Sequence, residues 1–199
     1  MKQAGRKDKK RVVRILTRSF ADDPHARWLV KSEEKGKGRR LKALMNLAFE
    51  DALINGEIYL SDDETGAALW KRPGAGGFSF RRVLSRWHFA IAFGWRRTRA
   101  VVEMAEYVRK FHPPDDYLYL WFIGVLPEGR GRGNASRLLD PILKKCETED
   151  LPVYLQTANP KNVAIYERKG FTVFHRWSPE DESGLEVWFM RKQGEKAKK

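Results

Sequence analysis

The sequence predicts an α/β fold, a mixed and mainly antiparallel twisted sheet of about six or seven strands with helices on both faces, splayed at its central strands. Three observations carry this reading. Tyr117 to Leu139, YLYLWFIGVLPEGRGRGNASRLL, passes from a continuous apolar run through a glycine-rich turn into a helical pattern. Glu57 to Ser61 and Ala67 to Lys71 read as two antiparallel strands around the turn Asp62 to Gly66. Pro152 to Thr157, PVYLQT, is a short strand, and Asn159 with Pro160 opens the next helix as a cap followed by a first-position proline.

In chain order, Val12, Val13, Ile15, Leu16 and Phe20 form the apolar stripe of a helix over about Lys7 to Ala21, which Asp22, Asp23 and Pro24 break. Lys31 to Gly38 is a polar loop, and Leu41 to Ile54 is the next helix. After the hairpin, Pro73, Gly74, Gly76 and Gly77 interrupt the pattern. A helical elaboration at about 74–112 follows, in which Phe78, Phe80, Trp87, Phe93 and Trp95 interleave with Arg81, Arg82, Arg86, Arg96, Arg97 and Arg99. It reads as a wall over a pocket or as a helix pair on the sheet with arginines reaching to water, with a helix lying on a membrane surface as the third option.

The aromatic-rich run Tyr117 to Ile123 fits a strand covered on both faces, and Gly124 marks a bulge or a close backbone approach. Pro127 ends the ladder. From Asn134, the residues Ala135, Leu138, Leu139, Ile142, Leu143 and Cys146 share one helical face, with a kink expected near Arg137 to Pro141. Gly170 and Phe171 close the helix after Asn159. Thr172 to Trp177 and Leu185 to Arg191 then complete the sheet around the polar loop SPEDESG.

The turn Arg130, Gly131, Arg132, Gly133 aims the N–H groups and the positive end of the following helix at one point, and its arginines add charge. A phosphate suits such a point. The plain alternative is a solvated turn. No Walker pattern is present, and GRGRGN does not meet the dinucleotide fingerprint.

Arg130, Gly133 and Ala135 stand in an Arg/Gln-x-x-Gly-x-Gly/Ala arrangement, and the run NPKNVAIYERKGF follows downstream at a matching distance. In these two features the sequence resembles the GCN5-related N-acetyltransferases, the GNAT superfamily, from about Val12 to Arg191. The resemblance implies a GNAT fold and acetyl-CoA as co-substrate. Its diphosphate would lie on Arg130, Gly131, Arg132, Gly133, Asn134 and Ala135, with further contacts from Ile123, Val125, Asn159, Asn162 and Tyr166. Tyr166 and Asn159 are the implied catalytic residues, Tyr166 protonating the leaving thiolate. The stretch Phe20 to Pro24 and the following His25 to Val30 resemble the paired first helices of that family, whose connecting loop borders the acceptor, so Asp22 and Asp23 are candidates for the amine or simple helix caps. The elaborated segment and the Leu-Leu-x-Pro arrangement before Ile142 resemble the puromycin acetyltransferase-like branch. In departure from some members, Tyr117 to Val125 holds no carboxylate, which implies proton removal through ordered water or by a group outside this strand, with Asp22, Asp23, Glu103 and His112 as unranked candidates.

With 199 residues and 42% hydrophobic content, one domain spanning 1–199 is expected. The lone Cys146 excludes an intramolecular disulfide and reads as packing. His25, His88, His112 and His175 lack metal-ligand spacing, so no metal is expected. The net charge of +13 is concentrated in Lys2 to Arg18 and Arg191 to Lys199, where it reads as solubility. No segment is long and apolar enough for a membrane span, and a cytoplasmic protein is expected. The expected partner is a small-molecule or peptide amine, bound by a monomer or homodimer. The rival functions are a non-catalytic acyl-CoA-binding module and a basic nucleic-acid-binding protein.

Overall fold

The computed structural model describes residues 1–30, 36–72, 103–104, 106–112, 116–179 and 183–194. The Arg/Trp-rich stretch 78–99, His88 and residues 195–199 lie outside them, as does most of the polar loop expected at Lys31 to Gly38.

Seven strands, β1 (Lys2–Gln3), β2 (Gly56–Leu60), β3 (Gly66–Lys71), β4 (Leu118–Val125), β5 (Val153–Thr157), β6 (Thr172–Trp177) and β7 (Val187–Lys192), form one sheet in the order β1-β2-β3-β4-β5-β7-β6. All neighbours are antiparallel except β4 and β5. Among the described residues, the helices with assigned bounds are α1 (Lys9–Ser19), α2 (Pro24–Val30), α3 (Lys37–Asn55), α4 (Asn134–Thr148) and α5 (Pro160–Glu167).

β3 shows why two layers of helix are needed, because all of its residues are buried. Ala67 and Leu69 point into a cluster with Val12, Ile15 and Leu16 of α1 and Met45 and Phe49 of α3. Ala68 and Trp70 point the other way, against Leu138, Leu139 and Ile142 of α4. Alternation along the strand thus supplies both cores. Cys146 packs in the second of them, where burial pushes its thiol up to about 11. α4 runs as one helix through Pro141.

Three features add to the sequence reading. β1 was not anticipated, since a two-residue edge strand carries no readable alternation; Lys2 and Gln3 pair with Leu60 and Tyr59. The basic residues near it are not merely solvated, because Lys2 and Arg11 both reach Glu64 at 2.7 Å, Lys9 reaches Glu50 at 2.7 Å and Arg18 reaches Glu128 at 2.9 Å. The irregularity in β4 falls at Trp121, not at Gly124: Leu69 pairs with Phe122 and Trp70 with Leu120, so Trp121 is the extra residue of a bulge. Gly124 is the close approach to a helix, the other of the two alternatives its position offers. A Cβ there would lie 2.7 Å from the Ser19 Cβ of α1.

Candidate active site

β4 and β5 are paired over a short stretch, Leu118–Leu120 against Val153–Leu155. Beyond it β4 continues with β3 to Val125, and β5 continues with β7 to Thr157, so the two central strands part company. The backbone groups on the facing edges lose their ladder partners there. The bulge at Trp121 sits where the divergence begins and turns β4 away. Consequently Trp121, Phe122 and Ile123 are only half-buried, although the sequence pattern suggested cover on both faces.

A cavity of about 130 Å³ occupies the divergence. Trp121, Phe122 and Ile123 form one wall, and Gln156 and Thr157 of β5 another. The α1–α2 junction contributes Phe20, Asp23 and His25, and α5 contributes Asn162 and Tyr166.

Asp23 precedes α2 and caps it, its Oδ1 accepting from the Ala26 N–H at 2.9 Å. The carboxylate nevertheless faces the cavity, and burial raises its pKa against the lowering effect of the Ala26 and His25 N–H groups. It has no basic ion-pair partner among the described residues. His25 is held at about 4 by burial, and its Nε2 lies 3.1 Å from Met104 Sδ. Tyr166 is 6% exposed and makes a T-shaped contact with Phe171 at 5.8 Å. Burial first, and the Asp23 carboxylate second, push its phenol well above the ordinary range, so it stays protonated. Its hydroxyl has no hydrogen-bond partner among the described residues.

On the β5 side a closed network has formed. Tyr119 donates its O–H to Gln156 Oε1 at 2.5 Å, which turns the Gln156 amide nitrogen toward His112 Nε2 at 3.5 Å. Tyr117 Oη completes the chain 2.6 Å from His112 Nδ1. Burial, and secondarily the Lys71 cation, lower His112 to about 4, so its ring is neutral near pH 7.

The glycine-rich turn begins with a short 3₁₀ turn, Pro127–Gly129, and enters α4 through Gly133. Gly131 and Gly133 adopt φ of +73° and +74°, a region that favours glycine, with no heavy atom within 4 Å of a Cβ on either. Arg130 Nε is 3.4 Å from the Val125 carbonyl, and Arg130 and Arg132 are exposed. Open space, two cationic side chains and the unpaired N–H groups of a helix's first turn fit an anionic diphosphate. Asn134 does not face that space. It is 2% exposed, and its Nδ2 donates to Asp63 Oδ2 at 2.7 Å, Thr65 Oγ1 at 2.9 Å and the Gly129 carbonyl at 3.2 Å. Asn134 therefore fastens the turn to the β2–β3 hairpin, a role that its position in the motif did not reveal.

Of the residues singled out in the sequence, the structure brings Ile123, Asn162, Tyr166, Asp23 and His112 to the cavity. Asn159 is outside its lining and caps α5, accepting from the Lys161 N–H at 3.1 Å. Asp22 and Glu103 are exposed. Sequence reasoning passed over Gln156, Tyr119, Asp63 and the buried Lys71–Asp51 pair, whose ammonium also lies 4.2 Å from the Trp121 ring. Among the described residues, no group of three His, Cys, Asp or Glu is placed to hold a metal, and no helix is long and apolar enough to cross a membrane.

The model of the acetyltransferase (GNAT) family matches residues 69–171. An uncharacterized N-acetyltransferase of Schizosaccharomyces pombe is 26% identical over 190 residues, 85% of this chain and 73% of that protein. The crystal structure of histone acetyltransferase HPA2 and related acetyltransferase from Corynebacterium glutamicum is 26% identical with a TM-score of 0.70, covering 97% of this chain and 94% of the other. Arylalkylamine N-acetyltransferase 2 of Aedes aegypti shares the fold at 16% identity, with a TM-score of 0.65 over 96% of this chain and 97% of its own.

Proposed function

Because the chain belongs to the GNAT acetyltransferase family, and is by that membership an acyltransferase, we propose that it moves the acetyl group of acetyl-CoA to the amine of an acceptor by direct attack. The observation that carries this reading is the divergence of β4 and β5, with Asp23 and Tyr166 facing one cavity inside it. Acetyl-CoA would supply an activated thioester, whose C–S bond breaks as the C–N bond forms.

This chain's own groups would do the rest. The N–H groups of Gly131 to Ala135, with Arg130 and Arg132, would hold the diphosphate; Ile123, Val125, Asn159 and Asn162 would flank the arm that leads into the cavity. N–H groups on the unpaired edge of β4 near Val125 would polarise the thioester carbonyl. An alkylammonium has a pKa near ~10.4 and must give up a proton before it attacks. Asp23 is the carboxylate among the cavity's described lining and would take that proton, directly or through water. His112 is a poorer base, since both its ring nitrogens are engaged and burial holds it neutral. Tyr166, kept protonated, would give its proton to the departing thiolate sulfur and recover one from solvent.

An acceptor screen with release of coenzyme A thiol as the readout tests the proposal, alongside thermal melting with acetyl-CoA. A raised melting midpoint and thiol release on an amine are expected. No shift and no release would refute the proposal.

A further inference from the structure

Resting on the acetyl-transfer reading, we propose that the acceptor is a small primary monoamine with an apolar body and no carboxylate beside its nitrogen, received in the β4–β5 cavity with its ammonium on Asp23. Asp23 presents a carboxylate to this cavity without a basic ion-pair partner among the described residues. A largely desolvated anion is costly unless a cation meets it, and the neighbouring His25 is held neutral by the same burial. A ligand ammonium supplies the missing charge.

Apart from the Tyr166 hydroxyl, which is reserved for the thiolate, the other polar groups of the described lining are largely engaged with one another. Tyr119 is bound to Gln156, His112 to Tyr117, His25 to Met104, and Asn162 to Thr157 at 3.4 Å. They offer little to a polyhydroxylated or polycationic acceptor, whose extra groups would be stranded on entry. Among the described residues no lysine or arginine lines the cavity, so an α-carboxylate would meet no counter-charge from them and would face Asp23 at short range. Lys71, a buried cation among the described residues, is paired with Asp51. What remains is apolar: Phe20, Leu29, Leu44, Trp121 and Phe122, with Phe20 set edge-on to Phe122 at 5.4 Å. These walls suit a compact hydrocarbon or aromatic body.

The test uses the full-length protein, saturating acetyl-CoA and four amines: 2-phenylethylamine, phenylalanine, 1,4-butanediamine and glucosamine. The first pair differs by one carboxylate, and the others replace the apolar body by a second charge or by hydroxyls. Thiol release should give a kcat/KM for 2-phenylethylamine at least ~10²-fold above each of the others. Asp23→Asn preserves shape and the cap on Ala26, and should lower kcat/KM for 2-phenylethylamine by at least ~10-fold while narrowing its lead over phenylalanine to within ~10-fold.

A preference for any of the other three amines overturns the inference, as does an Asp23→Asn variant with an unchanged ratio. If acetyl-CoA raises the melting midpoint but none of the four amines releases thiol, the acceptor class is wrong and the donor reading stands. If acetyl-CoA neither stabilises the protein nor is consumed, both readings fall together.

Discussion

The Asn134 side-chain amide donates a hydrogen bond of 2.7 Å to Asp63 across 71 positions of sequence. The same nitrogen holds Thr65 and the Gly129 carbonyl, so a hairpin turn and the glycine-rich turn are fixed as one piece. Asp63 is itself held by Ser61 first and then by Asn134 and Thr65, contacts that keep its carboxyl far below the usual range. Asn134→Ala should leave a buried carbonyl unmatched, at a cost of about 1–3 kcal/mol in urea unfolding. It should also weaken acetyl-CoA binding, measured as a smaller ligand-induced rise in melting midpoint, whereas Arg132→Ala should change little. Parental acetyl-CoA affinity in Asn134→Ala would separate the hairpin from the binding turn. Gly133→Val is a less clean probe, since its φ of +74° adds backbone strain to any steric block.

Tyr166→Phe separates chemistry from packing. The ring contacts to Phe171 survive, and the lost hydroxyl has no partner among the described residues, so melting and acetyl-CoA binding should stay parental. Turnover should fall by ~10² or more if the phenol protonates the thiolate. Parental turnover would remove Tyr166 from the mechanism and leave it a core aromatic.

Stability should decline in mild acid. His25 and His112 sit near 4 in the folded chain against 6.5 ordinarily, so between those values the unfolded chain binds more protons and folding weakens as pH falls. Asp23, raised in the folded state by burial, acts in the opposite sense as pH falls toward its ordinary value of 3.8. The melting midpoint should therefore hold above pH 6.5 and drop toward pH 4, and His112→Gln should remove roughly half of the histidine-driven drop. A flat profile would contradict the burial of the two rings.

Lys71 and Asp51 form an ion pair with relative exposures of 2% and 7%. Asn55 adds a hydrogen bond to Asp51 at 2.9 Å. Lys71→Met alone strands a buried carboxylate and should cost about 3–5 kcal/mol by urea unfolding. Combining it with Asp51→Leu should restore most of that loss; no recovery in the double variant would mean that the pair is not what the single change broke.

The fold was legible wherever a local pattern decided the structure. The Asn159–Pro160 signal places the start of α5, and the apolar stripe of α1 predicts its buried face of Val12, Val13, Ile15 and Leu16. What escaped depended on partners distant in sequence. Nothing near Lys71 announces Asp51 as its mate, and the Trp121 bulge arises from register with β3. Asn134 shows the limit of motif reading: its place beside the glycines suggested a ligand contact, yet its side chain is consumed by Asp63 and Thr65. The bases could not be ranked from the chain alone, because exposure separates Asp22 and Glu103 from Asp23 and His112.

The junction of β4 and β5 is a seam of three residue pairs, Leu118–Leu120 with Val153–Leu155, between one block of strands, β1 to β4, and another, β5 to β7. Such a narrow backbone seam should let the blocks open as separate cooperative units, visible as two classes of slow amide exchange, with Leu69 reporting on one and Phe189 on the other. A co-substrate that bridges the turn before α4 and the start of α5 would act as a clasp across it. Adding acetyl-CoA should then merge the two exchange classes into one, while two classes that keep their separate rates would show that the ligand touches one block alone.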